Sequence, residues 1–518
     1  MRSTFHGLEV AKRSLFTQQA ALNTTGHNIA NANTTGYSRQ VVNMVAAKPI
    51  EAFGMNRTTI PGQTGMGVEF SSITRIREKF LDDQFRNENK SFGNYAIQQD
   101  TLEKLEAIVN EPSDTGIRTV LESFFNAWSD LSKAPENADG RKIVREQALA
   151  LTDAFNHTAK SLQDLKADLT ESVSIKTTQI NSILGNIAKL NGEIQRIEGL
   201  GDDANDLRDQ RDLITDELSQ MINIRVTEGT GGYTVTMGGI ELVAGQVAEP
   251  LTAAEMEDYF ASGDLNSGEV FGMIQSRDHF VEGYIADLDR LVDKLANGDM
   301  EIKLPAGSVL PEGTTLNGVL YAGANRTLSE DTTVTVKGLN GLHQLGYNFS
   351  SEPGGLPFFT NADGTTENLK ASEITLNREL ADNPTKIATS MRIATVDGEE
   401  SVVRGNNSLA LLFSQARDSR INFGTASEPD LATVDSYFRS VVGQLGVQAQ
   451  EANRQLANSK TLVDQVDARR QSVSGVSLDE EMANLIKFQH AYNAAARNMT
   501  MIDETLNKVI NGMGIVGR

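Results

Sequence analysis

Near its start the chain places an apolar residue every seven positions, at Leu8, Leu15, Leu22 and Ile29, which predicts one stripe along an α-helix. The companion positions of a coiled-coil seam, Ala11, Gln18, Thr25 and Ala32, are small or polar, so this is half a seam. At the other end Leu478, Met482, Leu485, Tyr492, Ala495, Met499, Ile502, Leu506, Val509 and Met513 follow alternating spacings of three and four, with Gln489 filling the one gap. The first proline is Pro49 and the last Pro429, so neither end carries a helix breaker.

Further helical stripes lie inside. One runs from Leu81 to Val109, a second from Leu162 to Ile197, and a third from Phe438 to Val466. Their lengths predict a bundle of long helices. Between them "NIRVTEGTGGYTVTMGGIELVAG" alternates apolar and polar residues around glycine turns, the pattern of antiparallel hairpins. The fold expected is mainly α with β-rich insertions, elongated, its two end helices paired as a coiled-coil-like domain. Residues 1–36 and 477–518 would form that terminal domain. Residues 37–250 and 431–476 would form a long-helix bundle with a β-hairpin near 223–245. Residues 251–430 would form an outer, β-rich insertion with a helix at about 270–297 and a small β module at about 298–338.

Charge narrows the partners. Lys+Arg 47 against Asp+Glu 69 gives a net charge of -22, which repels nucleic acid and anionic lipid. No run reaches the ~18 apolar residues of a membrane span, and the first residues lack the continuous apolar core of a secretory signal. The expectation is therefore no nucleic acid, no membrane insertion, and any secretion without a cleaved signal peptide. With Cys 0, thiol chemistry is excluded.

Catalytic and metal motifs are missing too. His6, His27, His157, His279, His343 and His490 are scattered, without the spacing that sets two ligands on one helical face. "GLGDDA", Gly199 to Ala204, follows a helical stripe and puts Asp202 and Asp203 where a pyrophosphate would sit, so it reads as an interhelical turn. "NADG" before Thr365 fails as a calcium loop, because its first and last ligand positions are Phe359 and Lys370. No catalytic, cofactor or metal residue is expected, and the chain reads as a non-enzyme. "DLRDQRDLITDELS", Asp206 to Ser219, alternates charges at helical spacing, and composition favours a solvated surface helix.

"GHNIANANTTGYSRQ", Gly26 to Gln40, runs a helical stripe into short amides that favour caps and turns. Together with "SGVSLDEEMANLIKFQHAYNAAARNMTMIDETLNKVI" it closely resembles the paired terminal signatures of bacterial flagellar axial proteins. "ANANTTGYSRQ" combined with "NDLRDQRDLITDELS" resembles, within them, the hook-associated protein 1 family of the hook-filament junction. "GMGVEFSSITRIREKFLDDQFR" and "LNGLHQLGYNFSSEPGGLPFF" add internal likeness, and the β module at 298–338 is the main departure.

The resemblance implies a structural protein of the extracellular flagellum. It implies unfolded export through the flagellar type III apparatus and a dedicated chaperone on the C-terminal segment. It further implies a homo-oligomeric ring that meets hook protein and a second junction protein, hook-associated protein 3. Two alternatives stay open: a hook or distal-rod subunit, and a secreted enzyme on a flagellar scaffold. Assembly is expected to rest on Leu8, Leu15, Leu22, Asn28, Ile29, Asn31, Asn33, Gly36, Tyr37 and Arg39 at one end. At the other it would rest on Leu478, Met482, Leu485, Tyr492, Met499, Ile502 and Leu506. The amides would fix stagger between neighbouring subunits, and Gly36 would supply a left-handed turn.

Overall fold

The computed structural model describes residues 5–49, 65–111, 113, 116–229, 232–349, 355–396, 399–424 and 428–512. Met513, the last position of the C-terminal stripe, lies outside them, as do the extreme ends of the expected terminal domain. In chain order the elements begin with α1 (His6–Ala30), β1 (Gln40–Ala46), β2 (Val68–Arg75), α2 (Lys79–Val109), α3 (Ile117–Lys133), α4 (Ala138–Glu198) and α5 (Asn205–Met221). Strands β3 (Arg225–Gly229), β4 (Gly232–Met237), β5 (Ile240–Ala244) and β6 (Val247–Ala248) come next, then α6 (Ala253–Ser262), α7 (Glu269–Gln275) and α8 (Glu282–Asn297). Strand β7 (Asp299–Leu304), hairpin β8 (Thr314–Leu316) and β9 (Val319–Tyr321), β10 (Thr332–Lys337) and α9 (Gly338–Gln344) follow. After them come β11 (Phe359–Asn361), β12 (Ile374–Leu376), α10 (Arg378–Asp382), β13 (Ile393–Val396), β14 (Glu399–Val402), α11 (Ser408–Gln415), β15 (Ile421–Asn422) and β16 (Leu431–Ala432). The chain closes with α12 (Val434–Ser474) and α13 (Leu478–Gly512).

The chain forms two compact units. The first takes Met1–Tyr95, Val173–Gly272 and Leu456–Arg518; the second takes Ala96–Ser172 and Met273–Gln455. These boundaries are drawn differently from the three-part division expected from the sequence.

In the first unit the later half of α4 buries Val173, Ile180, Leu184, Ile187 and Ile194, at the spacing of one helical face. The glycine-punctuated stretch folds as a four-stranded antiparallel meander, β3-β4-β5-β6, whose Val226, Tyr233, Val235, Met237 and Val243 are buried. Strands β1 and β2 pair antiparallel, from Gln40 opposite Arg75 to Ala46 opposite Val68.

The second unit is built on an aromatic core. Phe124 and Trp128 of α3, Phe155 of α4, Phe358, Phe359 of β11 and Phe413 of α11 are all fully buried, and Trp128 stacks on Phe413 with centroids 4.0 Å apart. The helix expected at about 270–297 is α7 joined to α8 by a π-helical stretch, Ser276–Val281. The β module is not closed on itself. Its β7 pairs with β10 on one side and with β15 on the other, so the sheet runs β10-β7-β15-β16 and draws in residues near 421 and 432. A small sheet alone has two open edges and one uncovered face, and recruiting strands from further along covers part of that cost.

Candidate functional site: the terminal helix pair and its polar anchor

Helices α1 and α13 lie antiparallel in the first unit. Near one end a side chain at Gly7 would meet Ile502 Cδ1 at 3.0 Å, and near the other the Asn28 amide donates to Glu481 Oε2 at 3.1 Å. The packing face of α1 is not the leucine stripe. Its buried residues are Ala11, Thr17, Ala21, Thr24, Thr25 and Asn28, whereas Leu8, Leu15, Leu22 and Ile29 are only half-buried. Small side chains let backbones approach closely, and two of the covered positions, Ala11 and Thr25, belong to the weak half of the expected seam, whose Gln18 and Ala32 are half-buried. Gly67, at φ 88, brings backbone against Val10, and Thr17 Oγ1 donates to the Val68 carbonyl, so β2 covers α1 on another side.

On α13 only Glu481 and Ala495 are buried; Leu485, Tyr492, Met499, Ile502 and Leu506 are half-buried. Leu478, Met482 and Ile486, one turn apart, are 47%, 58% and 52% exposed. Phe5, Phe16, Met501, Val509 and Ile510 are exposed as well. The pair therefore keeps an apolar surface in contact with water.

Helix α1 ends at Ala30 because the amides take over its last carbonyls. The Asn31 backbone N–H bonds the His27 carbonyl at 3.1 Å, and its side-chain amide does the same at 3.1 Å. Asn33 is exposed on the turn. Gly36 adopts φ 81, the left-handed turn that the sequence suggested, and a β-carbon there would meet the Leu213 side chain at 3.1 Å.

Past that turn, Asn28 acts as a partner for the backbone of Gln40. Its Oδ1 accepts the Gln40 N–H at 3.0 Å and its Nδ2 donates to the Gln40 carbonyl at 2.9 Å. Oδ1 also accepts the Tyr37 hydroxyl at 2.7 Å, and Nδ2 donates to Glu481. All four bonding positions of a fully buried amide are filled, within one chain. The bonds of Asn28 join α1, β1 and α13 of the same molecule.

Arg39 is the second knot. Its Nε donates to Glu481 Oε1 and its Nη1 to Glu480 Oε2, both at 2.8 Å. Its N–H donates to the Ser474 carbonyl and its own carbonyl accepts from Ile76, again at 2.8 Å each. One residue thus ties the end of α12, the end of β2 and the start of α13.

Beneath the knot lies α5. Asp209, Asp212 and Asp216 share one of its faces, spaced three and four residues apart, and all are buried. Asp209 accepts the Ser38 N–H at 2.9 Å and pairs with Arg75 at 2.6 Å, and Asp212 pairs with the same guanidinium at 2.9 Å. Asp216 holds Arg86 at 2.8 Å and also Arg470, whose guanidinium lies 4.0 Å over the Phe85 ring. Arg77 joins Asp82 at 2.7 Å and donates to Ser38 Oγ at 3.2 Å. Three residues before Asp209, Asp206 accepts from Gln40 Nε2 at 2.7 Å. Burial opposes ionisation of Asp212, but Arg77, Arg75 and Arg86 outweigh it and hold the carboxyl below its ordinary range. Burial, with Asp206, Asp209 and Glu481 nearby, pushes the Tyr37 phenol well up.

The surface-helix reading of this motif is thus overturned. The opposite face of α5 is used too: Arg211 lies 3.7 Å over the Tyr233 ring and pairs with Glu228 at 3.0 Å. A charged helix can be buried when every charge meets a partner, and composition cannot say whether partners exist. The arginines at 75, 86 and 470 were missed because their partners on α5 lie 134, 130 and 254 residues away along the chain. The one local signal was that the aspartates at 206, 209, 212 and 216 share a helical face.

Among the described residues no helix is long and apolar enough to cross a membrane, and no cluster of three or more His, Asp or Glu could hold a metal.

Comparison with known proteins places these elements. Residues 102–298 match the model of the flagellar hook-associated protein FlgK helical domain. Residues 8–37 match the flagella basal body rod protein model, and residues 469–512 match the C-terminal model of the flagellar basal body rod FlgEFG proteins. Flagellar hook-associated protein 1 of Bacillus subtilis (strain 168) is 34% identical over 538 residues, covering 100% of both chains. The protein of that name from Escherichia coli (strain K12) is 23% identical over 570 residues, covering 97% of this chain and 98% of its own. The solved structure of the flagellar hook junction protein FlgK from Burkholderia pseudomallei shares the fold, with a TM-score of 0.50 and 15% identity over 77% of this chain and 100% of that one.

Proposed function

The chain belongs to the flagellar hook-associated protein 1 family, and on that premise we propose that it is a structural subunit of the bacterial flagellum joining hook to filament. The observation that carries the reading is the contrast within the terminal pair. Its base is locked by Asn28, Arg39 and Glu481, while the apolar stripe Leu478, Met482, Ile486 stands in water. An apolar helical face held at a fixed angle is a surface for another helix, and exposed patches of this kind mark protein contacts.

In this proposal residues 1–36 and 477–518 of neighbouring copies pack into an inner tube, closing a ring on the distal end of the hook. Residues 37–250 with 431–476 form the shell around it, and 251–430 project outward. The ring meets hook protein below and hook-associated protein 3 above. The chain reaches that place through the flagellar type III apparatus, carried by a chaperone on its C-terminal segment, and catalyses nothing.

Deletion of the gene tests the reading by electron microscopy. Hooks without attached filaments are expected; loss of the hook itself would overturn it in favour of a hook or rod subunit. Leu485→Asp or Leu506→Asp, exported at normal levels, should fail to restore filaments, since an unpaired carboxylate in an apolar seam is costly to bury.

A further inference from the structure

Fourteen methionines and no cysteine make thioether sulfur the whole of this chain's soft redox chemistry. Among the described residues the fold sets two extremes, with Met44, Met66, Met221 and Met499 between them. Met237, Met256 and Met391 are 0% exposed and Met300 1%, whereas Met482 is 58% and Met501 59% exposed, both on α13. Met482 stands between Leu478 and Ile486 on the exposed apolar stripe, and it follows Glu481, the carboxylate that anchors Arg39 and Asn28.

We propose that Met482 and Met501 are oxidation sites through which peroxides block addition of the free subunit to a growing flagellum. The proposal rests on the assembly reading above. In the step, the thioether sulfur attacks one peroxide oxygen and the O–O bond breaks. The sulfur gains that oxygen as a sulfoxide, and hydrogen peroxide leaves as water. The methionine is oxidised by two electrons and the peroxide reduced by two. A sulfoxide turns a flexible apolar side chain into a polar, chiral one, which an apolar seam must desolvate without a partner. Reaction follows exposure, so among the methionines of the described residues these two react first in the free subunit, and any packing that buries α13 shields them.

The test treats purified full-length protein with dilute hydrogen peroxide, maps sulfoxides by peptide mass spectrometry, and measures its addition to hooks from a deletion strain. Sulfoxide is expected at Met482 and Met501 while Met237, Met256 and Met391 stay reduced. Hook capping should fall by about tenfold, as expected if an unpartnered polar group enters the seam. Methionine sulfoxide reductases A and B together should restore it. The Met482→Leu, Met501→Leu double variant, judged against its own untreated level, should lose less than half of its capping on the same treatment. The inference is overturned if the buried methionines oxidise first, if oxidised wild type caps as well as untreated, or if the double variant is inactivated equally. Failure of untreated wild type to cap hooks would instead refute the assembly reading.

Discussion

Beside their apolar cores the two units of this chain bury different clusters. In the first, Arg75, Arg77, Arg86 and Arg470 interleave with Asp82, Asp209, Asp212 and Asp216. In the second, Phe124, Trp128, Phe358, Phe359 and Phe413 pack ring against ring. Apolar burial is strong but undirected, so an aromatic core tolerates small rotations of what it holds. Ion pairs and charge-assisted hydrogen bonds demand geometry, and a buried one gains little net stability over an apolar replacement. The first unit carries the terminal helix pair, where a wrong angle would misplace every contact with a neighbour. The polar lattice sits where direction matters, and the aromatic core where only stability does.

The largest expected effect lies in the aromatic unit. Trp128→Ala removes the ring stacked on Phe413 and should cost about 3–5 kcal/mol, the range for aromatic truncation in a core. Calorimetry should show the loss in one transition while hydrogen exchange in α1 and α13 is unchanged; faster exchange there too would break the comparison. Asp216→Ala attacks the other centre. It takes from Arg86 and Arg470 their shortest carboxylate contacts, leaving Arg86 with Asp212 at 3.5 Å and Arg470 with Asp467 at 2.8 Å, and breaking a buried pair from one side costs about 3 kcal/mol. Replacing Asp216, Arg86 and Arg470 together by Leu, Met and Leu should recover much of that stability, yet filaments should still fail to attach. Recovery of both would show that the lattice supplies stability alone.

Acid should separate the units next. His343 is fully buried, with Nδ1 bonded to the Leu356 carbonyl and Nε2 accepting the Ala388 N–H at 3.0 Å. Burial, with the Arg141 charge nearby, lowers its pKa from 6.5 to about 4. A proton on Nε2 would face a donor. Because the folded value is depressed, the neutral ring's contribution is complete above 6.5 and is lost as pH falls from there to about 4, roughly 3 kcal/mol in all. The single tryptophan, Trp128, lies in the same unit, so denaturant curves read by its fluorescence follow that loss directly. A flat profile between pH 6.5 and 4 would contradict the argument. Smallest is Asn28→Ala, which leaves Gln40 N–H and Tyr37 O–H without their acceptor and should cost about 1–3 kcal/mol, measurable as faster exchange confined to α1 and β1.

The sequence makes the helices plain, because stripes at Leu162 to Ile197 or Phe438 to Val466 need only local spacing, and α4 and α12 contain them. Gly36 was legible for the same reason, a lone glycine after a row of amides. On α1 apolar spacing picks out the leucines, while burial within the chain falls on smaller residues such as Ala11, Ala21 and Thr25, which hydrophobic periodicity does not single out. The lattice was invisible because Arg75 and Arg470 acquire meaning only when folding brings them to α5. Likewise β7 gives no hint that Ile421 will stand opposite Met300.

The Asn28, Arg39 and Glu481 knot fixes the angle of the terminal helix pair within its unit. The absence of native cysteine allows spin labels at two introduced ones, Asn23→Cys on α1 and Lys189→Cys on α4, both on exposed positions of the first unit. The distance distribution between them should be single and narrow in the parent. It should broaden when Arg39→Ala is added and stay narrow when Trp128→Phe is added. A distribution already broad in the parent, or unmoved by Arg39→Ala, would contradict the account.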